Sequence, residues 1–164
     1  MEEIKQLSND VIEQIKDFNY KSLTREQESL IDRLILDEEL KKCYNYYGLC
    51  KECKQPKNNY YWCRCNFQQN FKNWTSGNSD IDKFIQKAQL KATKKWEVLE
   101  WIEHDRFENI EYLAEGGFGT VYKAIWKDGP IYEWNFENNQ WKRGFNSWDP
   151  ESDIWKRVDR KSVV

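Results

Sequence analysis

Along the first 44 residues, apolar side chains recur every three or four positions, the period of a helix with one buried face. Ile4, Leu7, Val11, Ile15 and Phe18 form one such stripe and predict an amphipathic helix over residues 1–20. A second helix is predicted after Thr24, whose hydroxyl can cap the first turn while Gln27 reaches back, the reciprocal pattern of a capping box. Its buried side would carry Leu30, Ile31, Leu34, Ile35 and Leu40. The two helices would form a hairpin that packs on itself or on its neighbours. The heptad-like stripe of residues 1–20 also allows a homodimer, for which it is short.

Between Tyr44 and Asn66 the helical period gives way to aromatic residues, Cys, Gly, Pro and Asn. Phe67 to Trp74 reads as helix again. Thr75-Ser76-Gly77-Asn78 breaks it, and Ser79 or Asp80 can cap a further helix with Ile81, Phe84, Ile85 and Ala88 on one face. From Trp96 onward the residues become β-branched and aromatic. Strands are expected at 107–114, 118–127 and 131–136, with Asp128-Gly129-Pro130 turning between the last two. The expected fold class is therefore α+β. The segments are a helical part (1–44), a Cys-rich, zinc-ribbon-like element (45–75), a helix and linker (76–95) and a β-rich part (96–164).

An internal repeat lies in the β-rich part. Trp134 to Arg143 and Trp148 to Arg157 both read W-x2-E-x3-W-K-R, fourteen residues apart. Two copies are too few for a solenoid, so the repeat reads as a duplicated strand-and-turn arm. Its tryptophans are expected to pack on each other rather than on a partner.

Composition bounds the chemistry. The 164 residues are 39% apolar, below the usual globular share, but include nine tryptophans, each with a large area to bury. The formal charge is −2 with the signs interspersed, so no overall field favours nucleic acid or an anionic membrane. Basic residues in the Cys-rich element are also too few for a phosphate track, and no nucleic-acid partner is expected. The start MEEIKQLSND is acidic and lacks the apolar core of a secretory signal, and no run approaches a spanning helix. A cytoplasmic chain is expected, with its five cysteines present as thiols or metal ligands rather than disulfides.

Four of those cysteines come in two pairs, Cys50-Lys-Glu-Cys53 and Cys63-Arg-Cys65. A C-x2-C turn directs two thiolates to one point, and a second pair can complete a tetrahedron around Zn²⁺. The C-x-C half is irregular for such a site, and Cys43 or His104, the single histidine, could substitute in it. The alternative is a set of free or buried thiols. The −2 charge of a zinc-bound set would be softened by Lys51, Lys54 and Arg64. No residue is placed to leave the open position of a catalytic metal.

The most informative stretch is IEYLAEGGFGTVYKAIW, residues 110–126. Successive glycines let backbone N–H groups face an anion without side-chain obstruction. The β-branched follow-on argues against a Rossmann helix, and a Walker lysine is absent, which leaves a strand–turn–strand hairpin. That hairpin resembles the glycine-rich loop of protein kinases, G-x-G-x-x-G-x-V, which covers the phosphates of ATP. Gly116, Gly119 and Val121 match its second glycine, third glycine and valine; Phe118 matches the aromatic at the tip, and Ala114 stands in place of the first glycine. Over residues 44–143 the chain is also similar to the N-terminal part of kinase-like proteins expanded in arbuscular mycorrhizal fungi. Two departures are a shortened second cysteine pair and a second W-K-R arm.

The resemblance implies an incomplete kinase N-lobe over 96–164, in which Gly116, Gly117, Phe118 and Gly119 would lie over the phosphates of Mg-bound ATP and Val121 against adenine. The full-length protein would be an ATP-dependent kinase acting on protein hydroxyls. Arg160 to Val164 looks like the start of the third strand, ending before the expected lysine, and no H-R-D, D-F-G or A-P-E occurs. The chain alone is therefore expected to be inactive, with an unpaired edge beside its second strand. The alternative function is a non-catalytic, zinc-stabilised module that binds a partner protein or a related kinase.

Overall fold

A computed structural model describes residues 5–117 and 119–144 in full, and beyond them the backbone of strands 146–149, 154–157 and 161–163. The chain divides into two units, Met1–Glu97 and Val98–Val164. Helices belong to the first and strands to the second, so the fold is α+β.

In the first unit, α1 (Asn9–Ile15) is shorter than the helix predicted over 1–20. Ser8 caps it, accepting from the Val11 N–H, so the helix starts only there. Leu7 is buried although it precedes the helix, and Ile4 lies outside the described residues. The capping box at Thr24 and Gln27 is formed and starts α2 (Arg25–Leu34). The helix predicted to continue to Leu40 is instead broken. Ile35 is extended, and Asp37 caps a new helix, α3 (Glu38–Tyr47), by accepting from the N–H groups of Glu39 and Leu40 at 3.0 Å each.

The three helices share one core of Leu7, Ile12, Ile15, Ile31, Ile35, Leu40 and Tyr44. Full burial of a side chain such as Ile31 stabilises by about 2 kcal/mol. The Tyr44 hydroxyl, carried into this core, donates to the Ile15 carbonyl at 3.1 Å and so is not left unpaired.

The region expected to lack helix, 44–66, is narrower than predicted, because α3 runs to Tyr47 and α4 (Arg64–Asn70) begins at Arg64. The cap of α5 (Ser79–Lys91) is Asn78, one residue before the predicted candidates; its side chain accepts from Asp80 and Ile81. Of the four residues on its expected apolar face, Ile85 is buried while Ile81 and Phe84 are exposed. The carbonyls at and just past the end of this helix are taken by the Cys-rich element: Arg64 Nε donates to Leu90, Asn58 to Ala92 and Asn59 to Thr93.

The second unit holds β1 (Phe107–Gly116), β2 (Gly119–Trp126), β3 (Ile131–Asn135), β4 (Gln140–Arg143), β5 (Asn146–Asp149), β6 (Ile154–Arg157) and β7 (Lys161–Val163). The first three match the predicted strands to within two residues. All pairings are antiparallel: a three-stranded sheet in the order β1-β2-β7 and two separate hairpins, β3-β4 and β5-β6. The edge of β2 expected to be unpaired is thus partly covered, since Lys123, Ala124 and Ile125 pair with Val163, Ser162 and Lys161.

The two repeats form two hairpins of the same register, with Trp134 opposite Trp141 and Trp148 opposite Trp155. In the first, the indoles pack edge to face at 4.9 Å and Trp134 is buried. The hairpin is tied down by Glu100, which accepts from the Ile131 N–H at 2.8 Å and pairs with Arg143 at 2.7 Å.

Candidate metal centre and glycine hairpin

Cys50 and Cys53 lie on a tight loop between α3 and α4. Leu49 bridges Pro56, the Cys50 N–H donates to the Gln55 carbonyl at 2.8 Å, and the Lys54 N–H returns to the Cys50 carbonyl at 3.0 Å. Lys54 adopts a left-handed backbone, φ +60°, immediately after Cys53. In this turn the backbone amides of Cys53 and Gln55 help to lower the pKa of the Cys50 and Cys53 thiols respectively. Amide donors of this kind favour thiolates over thiols.

The C-x-C pair reaches the same point by a change of backbone direction. Cys63 precedes α4 in extended conformation, φ −123° and ψ 157°, and Cys65 sits within its first turn. A helix start between the two therefore does what a two-residue spacer does in the first pair. Asn66, fully buried, locks the start by accepting from the Cys63 N–H at 2.7 Å, and donates to Glu52 at 2.8 Å.

All four sulfurs lie within 4.8 Å of one another, with Cys50–Cys65 at 3.7 Å and Cys53–Cys63 at 3.6 Å. Four sulfurs about 2.3 Å from a tetrahedral zinc would stand roughly 3.8 Å apart. The set fits a metal ion. Cys43, buried by itself, and His104, in a short 3-10 turn of the second unit, are not part of it.

The four thiols act on one another strongly. The Cys50 thiol is pushed down, first by its contact with Cys53 and then by those with Cys63 and Cys65. Cys53 feels Cys50 as an opposing neighbour, but hydrogen bonds from Cys63 and Cys65 carry it down as well. Cys63 and Cys65 are pushed up, by the first two sulfurs above all and then by burial. A cation bound among the four sulfurs would displace their protons, so metal affinity here should rise with pH.

Sequence reasoning found the four cysteines but missed the groups that hold them. Glu52 gathers Asn66, Gln69 and the Cys65 thiol. Gln55 clasps the Leu7 backbone in both directions, accepting at 2.7 Å and donating at 3.0 Å. Of the cations expected to soften the cluster's charge, Arg64 is engaged with Glu39 and Leu90, and Lys57, not among those expected, carries an ammonium that feels Cys50 and Cys63. Burial lowers the Lys57 pKa, and the two sulfurs oppose that shift.

At the glycine turn, Gly116 pairs with Gly119 where β1 passes into β2. Phe118 lies outside the described residues. Gly119 has φ +148°, which a side chain rarely tolerates. A Cβ on Gly117 or Gly119 would meet nothing within 4 Å, and one on Gly116 only the Gly119 carbonyl at 3.9 Å. Packing within the chain therefore does not demand glycine at 117. Val121 is half-buried on β2 opposite Ala114.

Among the described residues, no helix is long and apolar enough to cross a membrane. Comparison with protein-family models, curated proteins and solved structures finds no match to this chain.

Proposed function

We propose that the chain is the N-terminal part of an ATP-dependent protein kinase, in which a zinc-bound four-cysteine unit precedes the hairpin that covers the nucleotide phosphates. The observation that carries the reading is the antiparallel order β1-β2-β7 around a glycine hairpin. Residues 161–163, matched on sequence to the start of a third kinase strand, run beside β2 as such a strand would. The open space around Gly116 and Gly117 supports the same reading, because glycines that the chain's own packing does not require leave room for an outside group.

In this reading Gly116, Gly117, Phe118 and Gly119 present backbone N–H groups to Mg-bound ATP, and Val121 contributes an apolar contact to adenine. Phosphoryl transfer to protein hydroxyls belongs to the whole enzyme, whose lysine, catalytic aspartate and metal-binding aspartate are not among these residues. The test is amide hydrogen exchange across residues 110–126 at millimolar Mg·ATP. Slower exchange at Gly116 to Thr120, reversed on nucleotide removal, is the expected result; unchanged exchange overturns the assignment.

A second reading rests on the first unit alone. Its separate core and its cysteine cluster make a self-contained zinc module, suited to binding a partner without any nucleotide chemistry.

A further inference from the structure

The loop that follows the first cysteine pair carries an unusual surface. Lys57 Nζ lies 5.5 Å from the centre of the Tyr60 ring and donates to the Tyr60 carbonyl at 3.2 Å. Tyr60 stacks edge to face with Tyr61 at 5.3 Å, and both rings stay in solvent, 59% and 45% exposed. Lys21, from the loop after α1, holds its ammonium 5.8 Å from the centre of the Tyr20 ring, and Lys51 lies inside the first cysteine pair. None of the three lysines is in an ion pair with a carboxylate among the described residues. Tyr20, next to Lys21, lies against Gly48, which carries the carbonyl that accepts from the Lys57 N–H at 3.0 Å.

The backbone under this surface is fixed. The Asn59 side chain accepts from the Tyr61 N–H at 2.7 Å and donates to Thr93, and Asn58 donates to Ala92. The two rings and the Lys57 ammonium are thus carried on a fixed backbone, which lowers the ordering cost on binding. Sequence reasoning excluded a phosphate track because residues 45–75 hold too few basic groups. The fold brings Lys21 to them from outside that element.

We infer that Lys21, Lys51 and Lys57 with Tyr60 and Tyr61 form a binding surface for single-stranded nucleic acid, the lysines contacting phosphates and the tyrosines stacking on bases. Charge complementarity selects a polyanion, and exposed rings select one with unstacked bases. A duplex offers the phosphates without the free base faces. This surface belongs to the first unit and stands whether or not the glycine hairpin binds ATP.

The test is fluorescence anisotropy of the full chain with labelled twelve-residue oligo(U) and oligo(dT), against a duplex of the same length. Single strands of either kind should bind better than the duplex, with a log–log salt slope of about −2 for three phosphate contacts. Tyr60→Ala should weaken binding by roughly 5- to 100-fold, as loss of one stacked base does, while Tyr60→Phe should retain it. Replacing Lys21, Lys51 and Lys57 by Gln should remove most of the salt dependence. All of these positions are at least partly solvent-facing, and unchanged thermal unfolding of each variant verifies the fold. Equal affinity for duplex and single strand, or indifference to Tyr60→Ala, would reduce the surface to plain polyanion attraction and overturn the inference. Binding of a phosphorylated peptide with no binding of either oligonucleotide overturns it as well.

Discussion

Folding takes the Glu100 carboxylate out of water and gives it two partners, the Ile131 N–H and the Arg143 guanidinium. Burial pushes its pKa up, and Arg143 only partly offsets that. Its folded-state pKa therefore lies above the unfolded one. The contribution to stability is fully present below the ordinary glutamate value and is lost as the pH rises through the folded pKa. Arg143→Ala would leave an anion with 8% side-chain exposure beside a single N–H, which should cost about 3 kcal/mol at neutral pH. The deficit should shrink as the pH falls through the carboxylate range, because a protonated Glu100 no longer needs the cation. Glu100→Gln in the Arg143→Ala background should recover much of the loss. Denaturant unfolding at pH 7 and pH 4 checks all three statements. At this scale, legibility followed sequence distance. Thr24 and Gln27 could be read as a capping box because the motif is four residues long. Glu100 with Arg143, Gln55 with Leu7 and Asn58 with Ala92 could not, since each pair joins residues more than thirty apart in the chain.

Among the elements, the helices show what periodicity hides. The apolar positions from Leu30 to Leu40 keep a helical rhythm across a real break, because Ile35 stays in the core while its backbone is extended. Asp37 carried the signal for a new start, but an aspartate inside a periodic run reads equally well as an exposed helix residue. Strands fared better, since Gly and Pro punctuate them. The turn at Asp128-Gly129-Pro130 is fixed by Gly129, with φ +66° and an imagined Cβ only 2.8 Å from the Gly144 Cα. Neither backbone can yield there. Gly129→Ala should destabilise the second unit by at least about 1–3 kcal/mol, the usual strain of a side chain in this conformation. Gly117→Ala, whose new methyl meets nothing within 4 Å, should leave stability nearly unchanged. Thermal unfolding of the two variants side by side distinguishes a glycine kept for packing from one that packing does not require.

For the whole molecule, the cysteine cluster matters through what is attached to it. Its first loop clasps Leu7, its second pair opens α4, and Arg64, Asn58 and Asn59 close the end of α5. Structural zinc is worth on the order of 10 kcal/mol in small zinc domains, comparable with the whole 5–15 kcal/mol stability of a typical domain. The purified chain should carry one equivalent of zinc by elemental analysis. Chelation, or Cys50→Ser, should abolish helical circular dichroism from the first unit. Helicity unchanged in zinc-free protein would show that the thiols do not need the metal. The four cysteines were legible as a set because each pair is local in sequence. That the C-x-C pair reaches the same point was not legible, because it depends on a helix beginning between its members.

The two tryptophan hairpins have a consequence for how such chains vary in length. In each, the two strands pair with one another in one register, and the repeat period is fourteen residues. Excising residues 144–157 would join Arg143 to Val158, the residue that already follows Arg157, so the local sequence after the arm would be unchanged. Length can therefore change here in whole hairpins, without shifting the frame of any strand that remains. A recombination error in this segment yields an arm more or an arm less, each internally complete, where the same error in most sheets would scramble the pairing.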